Sequence, residues 1–335
     1  MAKAVERPLV GIVGGDTLLG REVRDLLGES APKPRIQLLA ATADGSTVLA
    51  QDQDEALVMT PMNAESLEGS KAAFLAATPA SSRRAAKINP KRGPVLIDLT
   101  GALEDQPQAR LRAPTAEPLP DRATPKAAAI QVIAHPAAIA IAMFLTRLVK
   151  IKPVRRSVIH IFEPASERGQ RGIEELQQQN RALLSFQKLK TEVFDAQLAF
   201  NLLARYGEEA LEGLDLIEQR AERHLASLLA AWPGVPMPSL RMIQAPVFHG
   251  HSFSVWAEFD ENADAGALAQ SLAAEGLDVR PDEPPTNAAI AGQGGISVGG
   301  IWTDRNHARA CWFWLVADNL RLAAENAVAV ALEVL

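Results

Sequence analysis

The stretch Gly11-Ile-Val-Gly14-Gly15-Asp-Thr17-Leu-Leu-Gly20 constrains this chain more than any other. Before it, Pro8–Val13 is a short apolar run. After it, Leu18, Leu19, Val23, Leu26 and Leu27 recur at helical spacing. A strand that enters a helix through glycines opens a Rossmann-type domain. There, missing side chains permit a tight turn and let a diphosphate approach a helix N-terminus. Gly14, Thr17 and Gly20 are the cofactor-binding candidates. Thr17 stands where a middle glycine belongs, so its Cβ crowds a phosphate. Asp16 adds a carboxylate at the same place or caps the helix, and a like charge there costs affinity for a diphosphate. The second strand, Ile36–Ala41, calls for an acid to take a ribose hydroxyl. Asp44 is the one candidate, slightly late in the chain.

Further short apolar runs at Ala72–Ala77, Val95–Leu99 and Ala128–Ile133 alternate with helical stretches, which predicts a parallel sheet. The proline-rich piece Leu103–Pro125 reads as a long irregular connection. Then the pattern changes. A helix is expected over Ala137–Leu148, a strand over Val154–Phe162 and a helix over Gly172–Leu184. The clearest amphipathic helix covers Leu211–Trp232, with Leu214, Ile217, Ala221, Leu225, Leu228, Leu229 and Trp232 on one face. Extended segments follow at Arg241–Phe248 and Phe253–Phe259. Two strands, Ile296–Trp302 and Cys311–Val316, are joined by the polar loop Thr303–Arg309, and a last helix runs from Leu320 to Leu335. With 335 residues, two domains are expected.

The 34 basic and 40 acidic side chains leave a net charge of −6, which argues against a nucleic-acid partner. The cluster Arg83, Arg84, Lys87, Lys91 and Arg92 reads as a solvated face. A single cysteine, Cys311, excludes an intrachain disulfide and a cysteine-rich zinc site, and fits a reducing cytoplasm. Ala127–Leu145 is uncharged and of spanning length, but His135–Pro136 interrupts it. A buried strand, turn and helix explain it better than a membrane span.

Four segments carry a family resemblance: Gly172-Ile-Glu-Glu-Leu176, Gln197-Leu-Ala-Phe-Asn201, Ala245-Pro-Val-Phe-His-Gly-His-Ser252 and Leu315-Val-Ala-Asp-Asn-Leu-Arg321. Over essentially its whole length the chain resembles aspartate-semialdehyde dehydrogenases, and within them the divergent Usg-type homologues. The resemblance implies an α/β fold with a Rossmann-type domain over 1–134, completed by a C-terminal helix over 317–335. An α/β dimerisation domain with a mixed sheet would occupy 135–316. It also implies a homodimer, NADP as cofactor, and reduction of aspartyl phosphate through a cysteine thioester.

Carried over position by position, much of that chemistry is replaced. The nucleophile position is Ala138, or Ala137 in a register shifted by one. The family glutamine is Glu163. The phosphate-binding arginine is Glu104, the arginine for the substrate carboxylate is Gln244, and a lysine and glycine near the cofactor are Leu322 and Ala323. The acid/base histidine is retained as His251, and Asn326 matches an asparagine near the nicotinamide. The expectation is a homologue that does not work as a dehydrogenase and has a binding or regulatory role, with an unidentified protein partner open. The alternative is an oxidoreductase in which His251, Glu163 and His135 act without a covalent step.

Other clusters have blander readings. His249 and His251 alternate on one strand face, and with His160 and Glu163 could hold a metal, but the resemblance accounts for His251 without one and no metal is expected. Glu174, Glu175 and Gln177–Gln179 read as a solvated helix face. Trp302, Trp312, Phe313 and Trp314 read as core or dimer contacts, and Cys311 as a small buried hydrophobe.

Overall fold

A computed structural model describes residues 7–41, 48–52, 55–118 and 128–335. Asp44 lies outside these residues. The chain divides into two compact units, one made of 1–134 and 323–335, the other of 135–322.

The first unit opens with β1 (Leu9–Val13), α1 (Leu18–Glu29) and β2 (Arg35–Ala40). Next come β3 (Val48–Asp52), β4 (Glu55–Pro61), α2 (Ala64–Leu67), β5 (Ala72–Leu75) and α3 (Pro79–Ile88). The unit continues through β6 (Val95–Asp98), β7 (Ala109–Arg112) and β8 (Ile130–Ile133). These eight strands form one sheet in the order β3-β4-β2-β1-β5-β6-β8-β7. Every pairing is parallel except β3 with β4. The central strands are apolar on both faces: Val10, Ile12, Val13, Ala72, Ala73, Phe74, Leu75 and Ile97 have no exposed surface. That is the signature of a parallel sheet covered on both sides.

Two glycines shape the turn between β1 and α1. Gly14 has φ +82° and a Cβ there would press on Ala77, while a Cβ at Gly20 would overlap the Gly14 carbonyl oxygen. The helix cap is Thr17, not Asp16. Its hydroxyl accepts from the Gly20 N–H at 3.0 Å and lies 2.8 Å from Gly14 O and 2.9 Å from Ala76 O. Threonine at this position therefore closes the turn from inside.

The proline-rich stretch is less irregular than its composition suggests. Its residues 109–112 form β7, an edge strand beside β8. Buried Arg112 at the end of β7 pairs with Glu117 at 3.0 Å and with Glu333 at 2.7 Å, which ties this edge to the chain's last residues.

The second unit begins with α4 (Pro136–Ile151), β9 (Val154–Glu163), a short 3-10 turn over Ala165–Arg168, and α5 (Gly169–Leu184). It continues with α6 (Leu214–Leu229), β10 (Ser239–Gln244), β11 (His251–Phe259), α7 (Ala265–Ala274) and β12 (Asp278–Arg280). Then come α8 (Asn287–Ile290), β13 (Ser297–Asp304) and β14 (His307–Ala317), before α9 (Asn319–Leu332). Helix α9 starts in this unit and ends in the first. The sheet order is β10-β9-β11-β14-β13-β12, with parallel pairs at both edges and antiparallel pairs within. It is the expected mixed sheet. The hairpin between β13 and β14 is tighter than the predicted loop, with Asp304 opposite His307.

Helices α4, α6 and α7 pack on one sheet face, where Ile159, Ile161, Phe253, Val255, Phe313 and Leu315 are buried. On the other face Val158, Trp256 and Trp312 stand in register, with Trp302 opposite Trp312. This row is open: Trp302 is 61% exposed, Val158 39% and Trp312 37%.

The face of α5 expected to be solvated is partly buried. Gln179 is fully buried, and its side chain binds Lys190 O, Ala196 O and the N–H groups of Leu198 and Ala199 at 2.7–3.0 Å. Glu175 accepts from the N–H groups of Val193 and Phe194. The loop after α5 has no regular ladder, so these side chains satisfy its backbone instead. Among the described residues no helix is long and apolar enough to cross a membrane.

Candidate functional site

Polar side chains converge at one end of the second unit's sheet. β9 ends on Glu163 and β11 begins on His251, both fully buried. His251 Nε2 donates to Glu163 Oε2 at 2.8 Å. The other Glu163 oxygen accepts from Arg168 Nη2 at 3.3 Å, and Arg168 Nη1 reaches Glu212 at 3.0 Å. Arg220 also holds Glu212, at 2.9 Å. The fold thus encloses alternating charges, each with an opposite neighbour.

A second layer meets the first from α4 and α9. His135 caps α4: its Nδ1 accepts the Ala137 N–H at 3.3 Å, while its own N–H donates to His224 Nδ1 on α6 at 2.9 Å. Its ring centroid is 5.8 Å from that of His251. His135 Nε2 lies 3.9 Å from Glu167 Oε2. Asn319 holds Glu167 in place, donating to Oε1 at 2.7 Å and accepting from the Gly250 N–H at 2.9 Å and from Ser166 Oγ at 3.2 Å.

Burial and charge push these groups apart. Burial alone would raise the Glu163 carboxyl, but the His251 hydrogen bond and the charges of His251 and Arg168 outweigh it and hold it below the ordinary carboxylate range. Burial likewise works against charge on His251, and Glu163 overrides it, so His251 is raised. His135 is carried well below its ordinary value, first by burial and then by repulsion from His251. Glu167 is raised, by burial first and by Glu163 second. The site combines a His251–Glu163 pair that holds charge with a His135 ring that burial keeps neutral and a second acid, Glu167, raised by burial and by Glu163.

His251 contributes fully below about pH 6.5, and its contribution fades as pH rises through its raised folded value. Urea titrations from pH 6 to 9 are expected to show the stability gap between the wild type and His251→Asn shrinking with pH. A pH-independent gap would contradict a charged His251.

The structure brings together His251, Glu163 and His135, as the non-covalent alternative requires. Ala138 sits in the first turn of α4, 1% exposed. Gln244 is beside Glu163 in register but its side chain is occupied, donating to Glu163 O and Ala245 O and accepting from Tyr206 at 2.5 Å. Glu104 lies in the first unit, in the turn after β6. Asn326, also in that unit, accepts from the N–H and hydroxyl of Thr115, each at 3.0 Å. Leu322 is fully buried. Among the described residues the possible metal ligands that converge are His135, Glu163 and Glu167, rather than the sequence grouping of His249, His251 and His160. Cys311 is buried beside Thr303, and burial raises its thiol.

Sequence reasoning missed Glu167, Arg168, Asn319 and His224. His224 was readable, since it follows Ala221 by three on the buried face of α6. Asn319 lies within a quoted motif, but nothing in local spacing shows that it reaches Glu167.

Family models match nearly the whole chain: the semialdehyde dehydrogenase NAD-binding domain over residues 9–124 and the semialdehyde dehydrogenase dimerisation domain over residues 145–322. The chain belongs to the semialdehyde dehydrogenase family. It is similar to a USG-1 protein homolog of Azotobacter vinelandii, 31% identical over 96% of each chain. It is also similar to an aspartate-semialdehyde dehydrogenase of Prochlorococcus marinus, 26% identical over 97% of this chain and 96% of that one. Among solved structures, a probable aspartate-semialdehyde dehydrogenase from Pseudomonas aeruginosa matches with a TM-score of 0.81 at 27% identity, over 98% of both chains.

Proposed function

We propose that this family member does not run a cysteine-thioester dehydrogenase reaction and acts instead as a binding or regulatory subunit. The observation that carries this reading is the placement of sulfur. Residue 138, at the start of α4, is alanine, and the chain's single cysteine is on β14. Cys311 pairs with Ala257, and His251 with Ala317. Six residues of strand, about 20 Å, therefore separate the thiol from the acid/base histidine. A thioester needs a thiolate within reach of its base. Glu104 and Gln244, at the positions to which the resemblance assigns the family's anion-binding arginines, support the same reading.

The buried His251–Glu163 pair favours a second reading, acid/base chemistry without a covalent step, since a dyad facing a neutral His135 suits proton transfer. The first unit's strand–turn–helix start is the place a dinucleotide would take, although Gly14 and Gly20 are needed there by the turn's own packing against Ala77 and the Gly14 carbonyl. Gly14, Thr17 and Gly20 would hold the diphosphate, with Asp16 weakening the grip. A bound NADP would supply hydride transfer. Asn326 would sit behind the cofactor, positioning the turn at Thr115. The open row Val158, Trp256, Trp312 and Trp302 supports pairing with a second copy through the sheet of the dimerisation domain, because large exposed apolar rows on soluble folds mark interfaces.

The decisive experiment supplies aspartate semialdehyde, NADP and phosphate to purified protein. No turnover above background is expected, either for the wild type or for Ala138→Cys. Sedimentation of the same sample should give a dimer, and calorimetry should give at most weak NADP binding. Turnover by the wild type would sink the first reading. Absence of any dinucleotide binding up to millimolar concentration would count against the second as an oxidoreductase.

A further inference from the structure

The proposed function leaves two features unused beside Glu163: a buried ring nitrogen with no partner, on His135, and the carboxylate of Glu167. One ring nitrogen of His135, one oxygen of Glu163 and one of Glu167 all lie within 4.8 Å of one another, and Nε2 itself is 3.9 Å from Glu167 Oε2. Nε2 is buried without a hydrogen-bond partner, and the His135 side chain is 5% exposed. A buried polar atom of this kind costs free energy unless something satisfies it.

Hydrogen-bond bookkeeping decides what that something is. His135 Nδ1 accepts the Ala137 N–H, so its lone pair is used. In neutral imidazole the proton then sits on Nε2, which makes Nε2 a donor rather than a metal ligand. Glu163 already accepts from His251 and Arg168, and Glu167 from Asn319, yet each carboxylate retains lone pairs. The centre of the triangle therefore offers one N–H and two acceptors. Three atoms so spaced surround a point no farther than about 2.8 Å from each, which is hydrogen-bonding distance for oxygen. An anion would face two carboxylates there, and the guanidinium held by Glu163, Arg168, is also engaged by Glu212.

We infer that His135, Glu163 and Glu167 bind one neutral hydroxyl oxygen, which accepts from His135 Nε2–H and donates to a carboxylate. Water and a hydroxyl of a small polyol or aldehyde hydrate share this chemistry. The inference extends the reading of a non-thioester site by naming the ligand class the site takes, but it stands on the His135 tautomer and not on the absence of turnover.

The test uses full-length protein carrying 15N-labelled histidine. Long-range proton–nitrogen correlation is expected to show His135 with Nε2 protonated and Nδ1 bare. Glyceraldehyde is then added. A shift at His135 Nε2, with affinity at least tenfold weaker in Glu167→Gln, assigns the site to a ligand hydroxyl. No shift, with magnetisation passing from water to this N–H, assigns it to water. Either outcome supports the inference. Three results would overturn it: a proton on Nδ1, tighter binding of glyceraldehyde 3-phosphate than of glyceraldehyde, or one equivalent of Zn(II) or Mn(II) bound by the wild type and lost in His135→Ala but kept in His249→Ala and His160→Ala. The tautomer readout needs no variant, so a poorly folding substitution leaves the test intact. Turnover with aspartate semialdehyde would remove the thioester argument without touching the tautomer.

Discussion

Replacing Glu163 with leucine is expected to lower the unfolding free energy by about 3–5 kcal/mol. The carboxylate is fully buried and accepts from both His251 and Arg168, whose side chains are 1% and 14% exposed. Leucine would strip His251 of its carboxylate and leave Arg168 with Glu212 as its side-chain partner. The cost comes mainly from the stranded imidazolium rather than from the net worth of the pair, which is close to zero for many buried salt bridges. Glu163→Gln separates the two effects. Its amide oxygen still accepts a hydrogen bond, so the loss should be smaller, and His251 should fall back toward its ordinary titration range. Urea denaturation at pH 6 measures the first quantity, and histidine titration by nuclear magnetic resonance the second. A leucine variant within 1 kcal/mol of the wild type, on the order of one weak hydrogen bond, would mean that the cluster carries no charge on His251.

The second large effect is expected far from that cluster, at Gln179. One side chain on α5 serves four backbone groups of the loop that follows it: the carbonyls of Lys190 and Ala196 and the N–H groups of Leu198 and Ala199. Gln179→Leu preserves helix propensity and volume while stranding all four. Each stranded buried group costs about 1–3 kcal/mol, though opening of the loop to water would relieve part of this. The net expectation is a loss of about 3 kcal/mol, with new protease cleavage between residues 186 and 200. Unchanged melting together with unchanged proteolysis would show that the loop holds itself. The loop ends carry Phe186 and Phe200, both at positive φ and exposed, while Phe194, Leu198 and Ala199 between them are fully buried. Apolar burial and the glutamine hold the loop together.

Much of the fold was readable because its signals are local. A glycine turn after a five-residue apolar strand, followed by a helix with buried Val23 and Leu27, needs no distant partner to be recognised. A strand such as β5 shows as an unbroken apolar run because both its faces are covered. The edges were not readable. β7 spells Ala-Arg-Leu-Arg and pairs on one side only, and β3 and β4 form an antiparallel addition at the opposite edge. β7 alternates for only four residues inside a proline-rich stretch and β3 and β4 do not alternate, so their pairing comes from the neighbour rather than from propensity. The helix face around Glu175 and Gln179 misled for a related reason. Two polar residues suggest solvent, unless a loop lacking its own ladder folds over them.

The same division holds for the site. Family resemblance singled out His251, Glu163 and Ala138 as positions, and the residue types there already argued against a thioester. The sequence could not show that Glu167, Asn319 and His224 join them, because these come from a 3-10 turn, the start of α9 and the middle of α6. Spacing along a chain encodes which face a residue occupies within its own element. It says nothing about which faces meet. The single cysteine, the glycine turn and the alanine at 138 are properties of the sequence alone. The pairing of His251 with Glu163 and the orphaned nitrogen of His135 beside two carboxylates were decided only by folding, since the first joins residues 88 positions apart and the second depends on burial.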